Sequence, residues 1–293
     1  MLEGLDSASD ITLHVDALLR SAEAYDRFPT PVDDIVAATG LTEAPDFVLD
    51  PAALVLLPKH LRTAMRSASR KLQGALDRRE RVVHVTDLVT HDGKRRFVKL
   101  HEVTHDLLPH QQQLLYADDQ ETLSPTTRAL FEREANQGAA ELLFQRTGFT
   151  RDARGLAIGT AAVVYLAERY GSSLHAAFRR YAENHHQPVL VMRLHPVRNS
   201  DGSYTRYEQP CSSAWSQRFG GPPRYSRQLQ PSQHPFLAAI DNPVDQVTID
   251  DVNGEPVRVS MQAFDNTYSQ FLLLWVPAKR KLLRPKAVRL ACN

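Results

Sequence analysis

Two histidines four residues apart are the most informative group in this chain. Glu102 directly follows His101, and His105 completes the pattern H-E-x-x-H. On a helix, residues at this spacing project from one face about 5–6 Å apart, so both imidazoles can bind one Zn²⁺ ion. Glu102 would then lie beside the ion, where its carboxylate can take a proton from a bound water and deliver it to a leaving amine. The pattern predicts a zinc site for peptide-bond hydrolysis.

A third ligand is expected from a helix further along the chain. A catalytic zinc ion commonly has three protein ligands and one open position for water. The segment FEREANQGAAELLF offers either Glu132 or Glu134 for this role. Asn136 stands four residues after Glu132, on the same helix face, and its side-chain oxygen can orient His101 or His105. Small and apolar residues would pack this helix against the histidine helix, namely Ala135, Ala139, Ala140, Leu142 and Leu143.

The two segments together resemble the ImmA/IrrE family of zinc metallopeptidases. HEVTHDLLP is followed by EREANxxAAELLF, whose first Glu lies 27 residues after His105, and RFPTPVDDIVAATGL is similar to the helix that precedes the family's catalytic core. The resemblance covers about residues 12–186, including LAERYGSSLHAAFRRYAE. It implies that His101, His105 and Glu132 bind zinc and that Glu102 is the catalytic carboxylate.

The family pattern also bears on the choice between the two glutamates. In the family the first Glu of the E-x-E-A-N string is the ligand, so Glu132 is favoured, and Glu134 is expected on the helix surface. The chain departs from the pattern at Gly138, where an aromatic residue is usual, and at Phe144-Gln145, where Met-Pro is usual. These positions affect packing and the cleft wall, and therefore the expected substrate more than the expected zinc site.

The resemblance also implies a function. Family members are cytoplasmic proteases that cut helix-turn-helix repressors and thereby release phage, mobile-element or stress-response genes. The chain is therefore expected to be a cytoplasmic metalloendopeptidase with Zn²⁺ as cofactor, Mn²⁺ as an activating substitute, and an XRE-type transcriptional repressor as partner. The alternative is a regulator or toxin-antitoxin component that contains zinc and binds a repressor or DNA without cutting it. Glu102 favours the enzyme, because a structural zinc site has no need of a base.

Composition excludes several classes of protein. The 293 residues are 42% hydrophobic and 24% charged, which excludes disordered and fibrous chains and is enough for one large domain or two or three modest ones. A net charge of +1 provides no overall attraction to nucleic acid or to an anionic membrane. Two cysteines suit a reducing compartment. The acidic N-terminal segment is unlike a signal peptide, and no apolar run approaches the ~20 residues of a membrane span.

The predicted elements place the chain in the α/β (α+β) class. Apolar residues recur at helical spacing near the N-terminus, and the prolines at 29 and 31 open a second short helix. We predict helices at 57–76, 101–108 and 125–144, strands at 81–85 and 96–100 with a turn at 91–94, and a helical pair within 155–183. Beyond residue 187, alternating runs at 189–197, 203–207, 247–252, 257–264 and 268–276 predict strands, with a hairpin turn at Asn253-Gly254.

Three parts are expected from this pattern together with the family resemblance. Residues 1–150 form the zinc-peptidase domain, mainly helical with a small sheet, and residues 151–186 form a helix-turn-helix-like segment. Residues 187–293 form a β-rich domain, sensory or partner-binding, in the place where some family members carry a GAF-like domain. The turn between the paired helices lies at Gly171, with Ser172 or Ser173 as the next N-cap.

Other polar groups have simpler interpretations. His185-His186 is expected to cap a helix rather than to bind a second metal ion. His110 and Tyr116 can donate to an oxyanion, although loop positions are the more common explanation. Residues 204–227 interleave aromatic and basic side chains, which can stack on single-stranded nucleic acid, and half-buried strands and loops explain the same composition. The basic residues 279–289 fit a solvated end. Direct nucleic-acid binding is therefore not favoured.

Overall fold

The computed structural model describes residues 7–44, 74–86, 89–112, 124–221, 225–237, 240 and 246–277. The chain divides into two compact units, Met1–Asn184 and His185–Asn293. Each unit combines helices with a β-sheet, which confirms the predicted α/β (α+β) class. No helix in the described part of the chain is long and apolar enough to cross a lipid bilayer.

Several sequence-based predictions concern residues outside the described part of the chain. Tyr116 and the basic segment 279–289 lie outside the described residues, as does most of the predicted helix 57–76. The last part of that predicted helix is wrong, because residues 74–76 belong to a strand. The division of the chain into residues 1–150, 151–186 and 187–293, with their separate roles, stays a prediction.

The first unit carries a small sheet among helices. Its three strands are ordered β1-β3-β2, with β3 parallel to β1 and antiparallel to β2. The strands are β1 (Thr42–Ala44), β2 (Gly74–Asp77) and β3 (Val82–Val85). The helices are α1 (Ser7–Ser21), α2 (Val32–Ala38), α3 (Asp92–Leu107), α4 (Pro125–Leu143), α5 (Gly148–Arg154), α6 (Thr160–Tyr170) and α7 (Leu174–Asn184).

The histidine helix is longer than its sequence pattern indicates. Residues 96–100, predicted as a strand, lie within α3, and residues 91–94, predicted as a turn, begin it. His91 is the N-cap, and its side chain accepts a hydrogen bond from the backbone N–H of Lys94. The apolar run was misassigned because a short apolar run fits a strand and a buried helix face equally well; Leu100 and Val103 are fully buried. The H-E-x-x-H pattern therefore lies in the second half of one continuous 16-residue helix.

Gly138 brings α4 close to α3. A Cβ atom at Gly138 would lie 2.4 Å from Cγ2 of Thr104, which is fully buried. The Thr104 hydroxyl donates to the carbonyl of Leu100, which holds its side chain in place. The departure from the family pattern at Gly138 thus lets Thr104 fit between the two helices at the level of the histidines.

The other departure from the family pattern, Gln145, connects the end of α4 to an N-terminal loop. Gln145 is 1% exposed and has a φ of 47°, in the left-handed region. Its Oε1 accepts from the backbone N–H of Asp26 at 2.8 Å, and its Nε2 donates to the carbonyl of Arg27 at 2.8 Å. A second bond from Nε2 reaches Oγ1 of Thr30 at 3.2 Å. Proline at this position would lack these three contacts.

The helical pair packs onto the start of the histidine helix. Gly171 ends α6 with a φ of 65°, and Ser173 is the next N-cap, because its Oγ accepts from the backbone N–H of Ala176. A Cβ atom at Gly93, near the start of α3, would lie 2.6 Å from the backbone of Ser172 and Ser173. The turn of the pair therefore supports α3.

The second unit is built on a six-stranded antiparallel sheet. Its order is β6-β5-β4-β9-β8-β7. The elements are β4 (Val189–Leu194), β5 (Tyr204–Glu208), α8 (Ser213–Phe219), β6 (Gln228–Leu229), a 3₁₀ turn (Pro235–Leu237), β7 (Gln246–Asp250), β8 (Pro256–Asp265) and β9 (Gln270–Trp275). The predicted strands and the hairpin turn between β7 and β8 are confirmed, with Gly254 at a φ of 79°.

The sequence pattern did not predict α8. Ser212 caps this helix by accepting from the backbone N–H of Trp215. Trp215 and Tyr204, two aromatic residues considered for nucleic-acid stacking, are 2% and 1% exposed and belong to the hydrophobic core. Neither of these rings can therefore stack on a base without leaving the core.

We expect Gly138→Ala to destabilise the first unit. The added methyl group overlaps a stiff, buried threonine, and overpacking of this kind costs about 1–3 kcal/mol, more than the ~1 kcal/mol that alanine contributes to helix propensity. Far-UV circular dichroism during urea denaturation measures the loss. Gly155→Ala is the matched control, because its nearest contact would be 3.5 Å away. Equal stability of the two variants would contradict the packing argument, and Thr104→Ala should relieve the effect of Gly138→Ala.

Candidate metal centre

Helix α3 presents two imidazoles at the same point in space. The Nε2 atoms of His101 and His105 lie 3.1 Å apart. Helix α4 places Glu132 opposite them, with its carboxylate oxygens 3.3 Å from Nε2 of His101 and 3.7 Å from Nε2 of His105. One potential ligand atom from each of the three residues lies within 4.8 Å of the others. The three side chains therefore form a cluster that is compatible with a metal ion.

The cluster is buried on one side and open on the other. The side chains of His101 and His105 are 15% and 11% exposed, whereas that of Glu132 is 55% exposed. Glu102 is 9% exposed and lies beside the cluster without belonging to it. The ligand atoms can therefore be reached from the α4 side, while the glutamate next to them is shielded from water.

Burial and neighbouring charges separate the protonation states of the cluster. The pKa of His105 falls to about 4, because burial and the nearby His101 both disfavour its charged form. Burial also acts to lower the pKa of His101, but the hydrogen bond with Glu132 and the charges of Glu102 and Glu132 outweigh it and raise that pKa. The hydrogen bond from His101 in turn lowers the pKa of Glu132. A neutral His105 and an ionised Glu132 are the forms that bind metal.

Glu102 is held between α3 and the edge strand β2. A Cβ atom at Gly74 would lie 2.8 Å from Oε1 of Glu102, so only glycine leaves room for the carboxylate there. Burial raises the pKa of Glu102 to about 7, and the positive charges of His101 and Arg78 oppose that rise. A carboxyl group with a pKa near neutrality can both accept and release a proton at neutral pH.

Arg78 reaches the cluster from the turn after β2. Its Nη2 donates to the backbone carbonyl of His105 at 3.5 Å. In a continuous helix the N–H of residue 109 would bond to that carbonyl, but Pro109 has no N–H group. Sequence reasoning missed Arg78, although the proline four residues after His105 signals a carbonyl in need of another donor.

Glu134 corrects one expectation. It was expected on the helix surface, but it is 4% exposed and hydrogen-bonded within the unit. Its Oε2 lies 2.7 Å from both Nε2 of His110 and Nε2 of Gln111. Oε1 of Gln111 lies 2.6 Å from Nδ1 of His105. Sequence reasoning missed Gln111, and the expectation for Glu134 failed because its buried partners lie 23 and 24 residues away in the chain.

The remaining candidate residues take different positions. Asn136 is exposed and contributes to the raised pKa of His101, so it lies near that imidazole, and its orienting role stays a prediction. His110 contacts Glu134, and its predicted oxyanion role stays a prediction. His185 is buried, and its Nδ1 accepts a hydrogen bond from the backbone N–H of Gln187 at 3.1 Å. Among the described residues, neither His185 nor His186 belongs to a cluster of potential metal ligands.

Comparison with known proteins identifies this part of the chain. The family model Peptidase_M78, described as an IrrE N-terminal-like domain, matches residues 61–181. This region belongs to the ImmA/IrrE family. The resemblance is confirmed for that range, which contains the whole cluster and Glu102. The matched family model is that of a metallopeptidase family.

The chain was also compared with curated proteins and with solved structures. No curated protein matches the chain. Among solved structures, a Mycobacterium tuberculosis transcriptional regulator is 15% identical, with a TM-score of 0.48, and the match covers 92% of this chain and 76% of that one.

We expect Glu102→Gln to stabilise the metal-free protein more at high pH than at low pH. The raised pKa means that the folded state holds the proton more tightly than the unfolded state, whose carboxyl pKa is about 4.5. Stability should therefore fall as pH rises from about 4.5 to 7, by up to about 3 kcal/mol, and the amide variant should lack this loss. Urea denaturation at about pH 5 and pH 8 measures the difference. Glu168→Gln, which changes an exposed carboxylate, is the control.

Proposed function

We propose that the IrrE-like domain is a zinc-dependent endopeptidase. The observation that carries the proposal is the convergence of His101, His105 and Glu132 on one point, with Glu102 buried beside them. Two imidazole nitrogens and one carboxylate oxygen are a donor set that suits Zn²⁺ in catalytic sites, where a fourth position is left for water or substrate. Mn²⁺ is proposed as an activating substitute because it also accepts nitrogen and oxygen ligands.

The protein's own residues would perform the proton transfers. A bound zinc ion polarises the scissile carbonyl and lowers the pKa of water. Glu102 would accept the proton of the attacking water, hold it on its carboxylate, and deliver it to the nitrogen of the leaving amine. Its burial against Gly74 keeps the carboxylate in one place between α3 and β2. Asn136 would hold His101 in its binding orientation.

A protein chain is the proposed substrate. Strand β2 lies at one edge of the three described strands and borders Glu102, so an extended peptide could align along it through backbone hydrogen bonds. The family resemblance suggests a helix-turn-helix repressor of the XRE type, and the proposed outcome is release of the genes that the repressor controls. Cytoplasmic location belongs to the same proposal.

The coordination of the metal separates hydrolysis from a structural role. Structural zinc sites are closed by a fourth protein ligand, usually Cys or His. Among the described residues the cluster has three members, and Glu102 stands next to it as a potential base. These features favour hydrolysis over a regulator that only binds its partner.

We expect Glu102→Gln to keep its metal content and to lose cleavage, by about 10²-fold to 10⁴-fold in rate. The substrate to test is a small helix-turn-helix repressor of the XRE type, taken from a neighbouring reading frame where one encodes it, mixed with the full-length protein and Zn²⁺ or Mn²⁺. Loss of full-length repressor is followed by gel electrophoresis, and the cut site by mass spectrometry. Glu168→Gln should cut at the normal rate. Unchanged cleavage by Glu102→Gln would exclude Glu102 as the base, and stable binding without cleavage by the unmodified protein would favour the regulator.

Removal of single ligands should reduce metal content. We expect His101→Ala, His105→Ala and Glu132→Ala each to bind less than one equivalent of zinc after dialysis, because each change leaves only two protein ligands. Metal analysis of the purified full-length variants measures the effect. His175→Ala, on α7, is the matched control and should bind as much zinc as the unmodified protein. Full zinc content in all three ligand variants would place the metal elsewhere.

A further inference from the structure

A chain of hydrogen bonds connects His105 on α3 with Glu134 on α4. It passes from Nδ1 of His105 through the side-chain amide of Gln111 to the carboxylate of Glu134, and ends at His110. We propose that Gln111 and Glu134 are positioning residues that keep the proton of His105 on Nδ1 and so leave Nε2 free to bind the metal ion. The inference deepens the proposed function, since it rests on His105 being a metal ligand.

The amide of Gln111 can adopt only one orientation. Its Nε2 lies 2.7 Å from Oε2 of Glu134 and 3.4 Å from the backbone carbonyl oxygen of Phe131. A carboxylate and a carbonyl only accept hydrogen bonds, so the NH₂ group of Gln111 must face them and its oxygen must face His105. Reversing the amide would place its oxygen against two acceptors.

The orientation of the amide determines the tautomer of His105. An amide oxygen cannot donate, so the 2.6 Å contact between Oε1 of Gln111 and Nδ1 of His105 requires the proton to be on Nδ1. A neutral imidazole with its proton on Nδ1 carries a lone pair on Nε2. Nε2 is the atom that lies 3.1 Å from Nε2 of His101 and 3.7 Å from the carboxylate of Glu132, at the centre of the cluster.

Burial makes this arrangement rigid. Gln111 is fully buried and Glu134 is 4% exposed, so neither can exchange its partner for bulk water. A buried carboxylate is costly unless it is hydrogen-bonded, and the contacts from Gln111 and His110 meet that need. The negative charge of Glu134 then acts on His105 through the polarised amide, which makes Nε2 a better electron donor to a cation.

Three local features bring these groups together. Pro109 cannot extend the ladder of α3, and the backbone N–H of Gln111 returns to the carbonyl of Leu108 at 3.0 Å. Gln111 is thereby placed between the end of α3 and α4. Glu134 lies two positions beyond Glu132 on α4, so one helix supplies both a candidate ligand and the carboxylate behind the opposite ligand.

The tautomer of His105 can be measured directly in the full-length protein. The metal-free protein is labelled with ¹⁵N at histidine, and two-bond ¹H–¹⁵N correlation spectra at neutral pH report which ring nitrogen carries the proton. The His105 signals are assigned by their absence in His105→Gln. We expect the proton on Nδ1. A proton on Nε2 in the unmodified protein would overturn the proposal without any variant.

Variants then test whether the hydrogen bonds of Gln111 and Glu134 determine the tautomer of His105. We expect Gln111→Leu to lose the preference for the Nδ1 proton and to weaken Zn²⁺ binding by about 10-fold to 100-fold in a chelator competition. Glu134→Gln keeps an oxygen that can accept from Gln111, so the tautomer should persist and the affinity loss should be smaller. Gln137→Leu, at an exposed position of α4, is the matched control and should leave both measurements unchanged.

The outcomes separate this proposal from the proposed function. If folded Gln111→Leu keeps both the Nδ1 proton and its zinc affinity within about twofold, the positioning role is wrong. If Gln111→Leu does not fold, the tautomer of His105 is compared between the unmodified protein and Glu134→Gln. A change of that tautomer in Glu134→Gln would contradict the proposed orientation of the Gln111 amide. If the unmodified protein binds zinc and keeps the Nδ1 proton but cuts no repressor, the proposed endopeptidase fails while the positioning role stands.

Discussion

The close approach of α3 and α4 is the constraint on which the candidate centre depends. The imidazoles of His101 and His105 share a helix face by spacing alone, but Glu132 reaches them only if the second helix lies near enough. Gly138 permits this by leaving room for the buried side chain of Thr104. A larger residue at either position would separate the helices at the level of the cluster, where a few tenths of an ångström change a metal-ligand distance.

The buried carboxyl groups of Glu102 and Glu134 are accommodated in different ways. Glu102 lies in a site where burial outweighs the positive charges near it, and its raised pKa suits a group that takes and returns a proton. Glu134 is also buried, but two hydrogen bonds hold it, and its role is to orient a neighbour. Two glutamates at similar depth thus differ in environment, because Glu134 has hydrogen-bond partners for its carboxylate whereas burial dominates the environment of Glu102.

Departures from the family pattern have structural explanations within the first unit. Gly138 makes room for Thr104, and Gln145 uses its amide to connect the end of α4 with the loop that follows α1. Each departure therefore supports the position of α4. Glu132, the member of the candidate cluster on that helix, lies opposite the two histidines.

Local patterns in the sequence were sufficient for the H-E-x-x-H face, for α4, and for the strands β4, β5, β7, β8 and β9 of the second unit, because spacing and turn residues act over a few positions. The extent of α3 was wrong, since a short apolar run is buried equally well in a strand or in a helix. Glu134 was misplaced and Gln111 and Arg78 were missed, because their environments are created by residues distant in the chain. Spacing along one helix can decide which side chains share a face, but only tertiary packing decides which of them are buried, what they contact and which proton they carry.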